Sequence, residues 1–201
     1  MKTRDWQKLL AAHAREGKTL FTPTELANLS GVPRRLLNVE LSRLVKYGVL
    51  TRFAQGLYGL PGQTVPPERL LGNLDPHAYV TGHYALLRHG VVTQAPSAVT
   101  GFTSRRHFRR LIVTPAGQLE FVTVRPPVYR RDDRGMAGPE QALCDWVYLS
   151  RRRGHDPVGL LTFRRLSGFR PAVLARLLRR YPGTVAKTVQ RIMVEGKRSG
   201  L

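Results

Sequence analysis

Apolar positions return at helical spacing near the start of the chain, where Trp6, Leu9, Leu10 and His13 share one face and Gly17 supplies a stop. This pattern predicts a first helix over residues 5–16. The next signal is a cap. Thr22-Pro23-Thr24-Glu25 sets a hydroxyl before a helix, a proline at its first position and a carboxylate that reaches back, which predicts a short second helix to about Leu29. After the Ser30-Gly31 turn, Pro33 opens a third helix with Leu37, Leu41, Leu44 and Val45 as its inward stripe and Gly48 as its stop. Residues 49–54 and 57–60 then alternate about a Gln55-Gly56 corner, the pattern of a small hairpin. Three helices followed by such a hairpin make a winged helix-turn-helix.

The pattern changes at residues 61–68, PGQTVPPE, which hold three prolines and a glycine without an apolar period. We read a stiff linker there. The expected plan is a winged helix-turn-helix over residues 1–62, a linker over 63–68 and a second domain over 69–201. In that second part, residues 80–89 read as helix and 98–103 as extended. Residues 111–114 and 119–124 read as strands around a Pro115-Ala116-Gly117 corner. Pro139 opens a strongly apolar helix with Ala142, Leu143, Trp146, Val147 and Leu149 as core. Residues 171–180 and 184–194 close the chain as two helices about Tyr181-Pro182-Gly183. The expected fold class is α+β, an N-terminal winged helix-turn-helix followed by a mixed α/β C-terminal domain.

Charge narrows the choice of partner. The 201 residues carry 33 Lys and Arg against 13 Asp and Glu, a formal net charge of +20. Residues 1–65 hold ten bases and four acids, and residues 66–201 hold twenty-three and nine, so the excess is spread over both parts. A folded chain this basic repels itself, and a polyanionic partner relieves that repulsion most directly. Nucleic acid is the first candidate and an anionic membrane surface the second. A membrane span needs roughly 18 or more consecutive apolar residues, which the sequence lacks, and Leu9 to Ala14 is too short for a signal segment. Cys144 is the single cysteine, which leaves no intramolecular disulfide and no cysteine cluster for zinc. A cytoplasmic address is expected.

On the third helix, Arg34, Arg35, Asn38, Ser42, Arg43 and Lys46 point away from the apolar stripe, with Glu40 to one side. Arg and Asn make paired hydrogen bonds to base edges in the major groove, so Arg34, Arg35, Asn38 and Ser42 are candidates for reading bases. Arg43 and Lys46, with Arg52 and Gln55 of the wing, suit phosphates, which fix register without reading sequence. A further basic cluster, Arg105, Arg106, Arg109 and Arg110 around Phe108, is either a second phosphate patch or a solvated loop whose Phe108 packs inward. Tyr129-Arg130-Arg131, followed by Asp132-Asp133, reads as a partly self-neutralised solvated loop.

Catalytic patterns are missing. His77, His83 and His89 recur every six residues, whereas ligands on one helix face want spacings of three or four, so no metal site is expected. His155-Asp156 has no serine or cysteine elbow nearby, and Cys144 sits in an apolar helical pattern that reads as core. The sequence calls for no cofactor and no catalytic residue.

Three stretches carry a resemblance. LSRLVKYGVLTRFAQGLYGLP (residues 41–61) is similar to the N-terminal domain of the AbiEi-like antitoxins, transcriptional regulators of type IV toxin-antitoxin and abortive-infection systems. YVTGHYALLRHGVVTQAP (79–96) and MAGPEQALCDWVYLS (136–150) resemble that family's C-terminal domain, in the same order. The resemblance implies a repressor of its own operon whose winged helix binds inverted repeats near the promoter. It also implies a C-terminal domain that acts against a nucleotidyltransferase-like toxin and adds a second positive, DNA-facing surface. Carried over only through the predicted third helix, the family's recognition positions fall on Arg34, Arg35, Asn38, Ser42 and Lys46.

The function expected is therefore a sequence-specific DNA-binding autorepressor and antitoxin, acting as two copies on duplex DNA. Two alternatives stay open. One is a protein-interaction module that neutralises an acidic partner without binding DNA; the other is a nucleic-acid-processing enzyme with a composite site.

Overall fold

The protein's computed structural model describes residues 2–107, 110–131 and 135–198. Helix α1 (Thr3–Arg15) buries Trp6 and Leu10. A two-residue strand, β1 (Leu20–Phe21), separates it from α2 (Pro23–Ser30). Both halves of the capping box form: the Glu25 amide donates to Thr22 Oγ1 at 3.3 Å, and the Thr22 amide donates to Glu25 Oε2 at 2.7 Å. Gly31 then takes φ 67°, a left-handed value that favours glycine, ending α2 and turning the chain into α3 (Arg34–Lys46). Leu37, Leu41 and Leu44 of α3 are buried with Trp6, Leu10, Phe21, Leu26, Val49, Leu50 and Tyr58 in one N-terminal core.

The hairpin after α3 is β2 (Thr51–Ala54) and β3 (Leu57–Gly59), with Gly56 at φ 73° in its corner. Strand β1 pairs with the other side of β3, giving the order β1-β3-β2. This third strand is absent from the pattern reading because two residues are too few to show a period. The β2–β3 register shifts between Arg52 and Ala54, and Phe53 at that irregularity is buried. Phe53, Leu57 and Leu20 pack into the second, larger core, while Tyr58 packs into the N-terminal one. The wing thus belongs to both.

The proline-rich stretch also enters the larger core. Val65 is buried there, and Pro66 and Pro67 stand at the N-cap and first position of α4 (Pro67–Leu74), where a proline leaves no lost hydrogen bond. The segment expected as helix from residue 80 begins instead as strand β4 (Tyr79–Thr81), because its backbone pairs with β5 (Val99–Thr103); α5 (Gly82–Arg88) starts only at Gly82. Strands β6 (Leu111–Thr114) and β7 (Gly117–Thr123) form the expected hairpin. The sheet order is β4-β5-β7-β6, with β5 and β7 parallel and the other pairs antiparallel. Helix α6 (Pro139–Arg152) packs against α5, β4, α7 (Pro171–Leu178) and α8 (Gly183–Arg198). The fold is α+β, a winged helix-turn-helix followed by a mixed α/β part.

The apolar pattern of α6 conceals two buried carboxylates. Asp145 accepts hydrogen bonds from Tyr181 Oη at 2.6 Å, Thr81 Oγ1 at 2.7 Å and Tyr79 Oη at 3.1 Å, and so ties β4 to the α7–α8 connection. Burial pushes its carboxyl up to about 7, against the opposing pull of those three donors. Glu140 accepts from the Arg170 amide at 3.1 Å and from Arg170 Nε at 3.0 Å. Burial acts to raise Glu140 as well, but the Arg170 bonds outweigh it and hold the carboxyl below its ordinary range. Between these two, Cys144 is fully buried, and its thiol is pushed up by burial first and by Asp145 and Glu140 beside it.

Candidate nucleic-acid interface

Burial of Leu37, Leu41 and Leu44 fixes how α3 is rolled, and the opposite side faces solvent. Arg34, Arg35, Leu36, Asn38, Val39, Ser42, Lys46 and Tyr47 are all exposed, and none is acidic. Exposure reaches 52% at Leu36, 70% at Val39 and 63% at Tyr47, so the C-terminal part of the chain does not cover this face. Isolated exposed apolar residues need no explanation, but here they interleave with Arg, Asn and Ser on one helix. Such a mixture suits a major groove, where thymine methyls alternate with hydrogen-bonding edges.

The first turn of α3 is electrostatically unusual. It contains Arg34 and Arg35 and no acid, although the helix dipole puts partial positive charge there and favours carboxylates. Each such cation costs a few tenths of a kcal/mol, and a phosphate placed at that end reverses the sign. Arg34 is not free: its Nη2 donates to Thr24 Oγ1 at 3.0 Å, bridging to α2. Arg43 pairs with Glu40 at 2.8 Å, and the Ser42 hydroxyl donates to the Asn38 carbonyl at 2.9 Å. Arg35, Asn38 and Lys46 present side chains outward on the same exposed face.

The wing residues occupy a different setting. Arg52 and Gln55 are exposed and line a groove of about 930 Å³ whose far wall is β6, through Leu111, Ile112 and Val113, with Leu74 and His107 below. Of the second cluster, Arg106 and Arg110 line one large cleft; Arg105 is exposed outside that lining, its amide donating to Thr103 Oγ1 and its carbonyl accepting from Thr123 Oγ1. Arg109 and Phe108, like Asp132 and Asp133, lie outside the described residues.

The histidines have local partners. His83 Nε2 bonds the Gln94 carbonyl and His89 Nε2 the Ala137 carbonyl, both at 2.8 Å. His107 pairs with buried Asp75 at 2.8 Å and stacks on Phe121. Burial alone would raise Asp75, but Thr103, His107 and the His77 amide together hold it low. Among the described residues no group of three or more His, Cys, Asp or Glu is placed to hold a metal ion, and no helix is long and apolar enough to cross a membrane.

Pattern reading missed Leu36, Val39 and Tyr47 as parts of the exposed face. Their positions, three and then eight residues apart and outside the Leu37–Leu41–Leu44 stripe, were the available signal.

An exposed, basic third helix on a winged helix-turn-helix, followed by a mixed α/β part, defines the structural class: a winged-helix protein. Residues 8–61 match the model of a family described as transcriptional regulator, AbiEi antitoxin. That span runs from within α1 to the end of the wing, and the family is one of regulators and antitoxins rather than of enzymes. Among solved structures, the chain is similar to the RV2827C protein from Mycobacterium tuberculosis. The two share 17% identity with a TM-score of 0.62, over 96% of this chain and 77% of that one. At that identity the likeness concerns the fold alone. No curated protein matches the chain.

Proposed function

We propose that this protein is a cytoplasmic transcriptional regulator that reads duplex DNA with α3, represses its own operon, and serves as the antitoxin of a type IV toxin-antitoxin pair. The observation that carries the reading is the exposed, acid-free face of α3, where Arg35 and Asn38 are free to reach base edges and Lys46 a phosphate. The family match over the winged helix supports the regulatory role, and the toxin partner, a nucleotidyltransferase-like protein, follows from the same resemblance. In this reading the chain divides into a DNA-reading domain over residues 1–62 and an antitoxin domain over 69–201. One winged helix buries a modest area, so two copies on an inverted repeat supply the affinity of a specific operator complex.

The test is a mobility-shift titration of the full chain on the DNA upstream of its own gene, against random duplex at ~150 mM salt. Arg35→Ala with Asn38→Ala abolishes the preference, each lost base contact removing about 1–3 kcal/mol of discrimination. Unchanged discrimination in the double variant refutes the assignment. Binding to the toxin without any retention of DNA favours the protein-interaction reading in its place.

A further inference from the structure

A second concentration of positive charge lies away from α3. A cleft of about 1040 Å³ is walled by Arg106, Arg110, Arg125, Arg152, Arg179 and Arg180, and among the described residues its lining contains no carboxylate. These six arginines come from four separate stretches of the C-terminal part. Arg152 donates through Nη1 to the Thr123 carbonyl at 3.1 Å. Among the described residues, the other five guanidiniums form no ion pair or hydrogen bond. Elsewhere in this part, Arg88, Arg153, Arg170 and Arg191 each meet a carboxylate. Gathering unpaired like charges into a concavity costs self-repulsion, and an anion seated there relieves it.

The cleft's position is also that of a ligand site. Ser104 and Arg106 follow the C-terminal end of β5, and residues 124–128 follow that of β7, the parallel neighbour of β5. Crevices outside the carboxyl ends of parallel strands are where open α/β sheets take their ligands. Pro182, immediately before α8, lines the same wall, so the positive end of a sixteen-residue helix adds to the field of the arginines. Half-buried Tyr148 and buried Tyr181 contribute aromatic surface, and their rings meet edge to face with centroids 6.1 Å apart. Tyr181 is held from behind by Asp145, so this surface is fixed in place.

The shape selects among anions. A neighbouring groove of about 260 Å³, whose one described carboxylate, Glu120, is paired with Arg153, shares Arg110, Thr123 and Arg152 with the main cleft, so the surface is an elongated trough rather than a cup for one phosphate. Duplex DNA presents a convex cylinder and receives protruding elements such as α3 in its grooves. A trough with guanidiniums along its walls and a tyrosine within it suits one flexible phosphodiester chain with a base laid on the ring. We infer that this cleft binds a segment of single-stranded nucleic acid, with phosphates on Arg106, Arg125, Arg179 and Arg180 and a base against Tyr148. The inference does not depend on DNA reading by α3.

The test is fluorescence anisotropy of the full chain with labelled oligo-U and oligo-dT of about a dozen nucleotides, a length within the usual single-strand site sizes. Both arms address the same phosphodiester chemistry, and the tighter one names the source as RNA or DNA. Arg125→Gln with Arg179→Gln weakens binding and lowers the log–log salt slope by about 1.4, two phosphates at about 0.7 each. Among the described residues neither side chain has a partner to lose, and an unchanged urea midpoint checks that folding is preserved. Arg35→Ala with Asn38→Ala leaves single-strand binding unchanged, which separates this cleft from the α3 surface. The inference is overturned if neither oligomer binds. It is equally overturned if the α3 variant loses binding while the cleft variant keeps it, or if operator-free duplex of equal length competes as well as the single strand.

Discussion

Replacing Asp145 with asparagine isolates a buried charge at the centre of the C-terminal part. The carboxyl is fully buried under Tyr79, Thr81 and Tyr181, and burial pushes it from an ordinary 3.8 up to about 7. Below about pH 4 the group is protonated in the folded and unfolded chain alike, and it favours neither. Between about pH 4 and pH 7 the folded state holds a proton that the unfolded state has released, so stability falls as pH rises through this window. Above about pH 7 both states are ionised, and the full cost of the buried charge is present. A shift of roughly three units at about 1.36 kcal/mol each puts that cost near 4 kcal/mol. Asp75, Glu140 and Glu25 act oppositely. Burial opposes their ionisation, but their hydrogen bonds hold them low, so their contribution is lost as pH falls. Comparing Asp145→Asn with the parent at each pH cancels those terms. Asparagine keeps an acceptor for two of the three hydroxyls, and the mismatch at the third costs about 1–3 kcal/mol at every pH. Urea unfolding of both proteins across this range therefore gives a parent-minus-variant difference that declines by about 4 kcal/mol from acid to neutral pH and then levels. A difference that stays flat across the window refutes a carboxyl titrating near neutrality.

Two further outcomes rest on the winged helix. Thr22→Ala removes the hydroxyl half of the capping box and lowers stability by about 1 kcal/mol, read from the urea midpoint; an unchanged midpoint means that the cap contributes nothing in solution. In Gly59→Ala the new Cβ would lie 2.8 Å from the Thr19 carbonyl oxygen and 2.8 Å from Phe53 Cε2, so the β1–β3 pairing must shift. A loss of about 1–3 kcal/mol is expected in the same assay, and a neutral result shows that β1 can move aside freely.

The N-terminal elements were legible because their signals are local. The capping box spans four residues, the α3 stripe one helix face, and the wing corner a single Gln-Gly pair. What escaped was set by distant partners. Strand β4 looks helical until β5 pairs with it, and the parallel alignment of β5 with β7 leaves no trace in either segment. Prolines 66 and 67 suggested a linker, yet proline is equally suited to opening a helix, and only the burial of Val65, Leu70 and Leu71 distinguishes the two. Glu140 and Asp145 fit the polar positions of an amphipathic helix; their burial depends on Arg170 and Tyr181, 30 and 36 residues away. The basic surface was partly visible as Arg106 and Arg110, but Arg125, Arg152, Arg179 and Arg180 converge on them only in three dimensions.

Leu20, Phe53 and Leu57 are wing side chains that find their cover beyond residue 62. Cutting the chain there strips three greasy groups of their shelter, each worth roughly 1.5–3 kcal/mol when fully enclosed. The isolated winged helix would be weaker and stickier than its size suggests, and it could not pivot on a tether while intact. In the proposed regulator, the distance between two copies on one operator would accordingly be dictated by the girth of the entire molecule, not by the small hairpin alone.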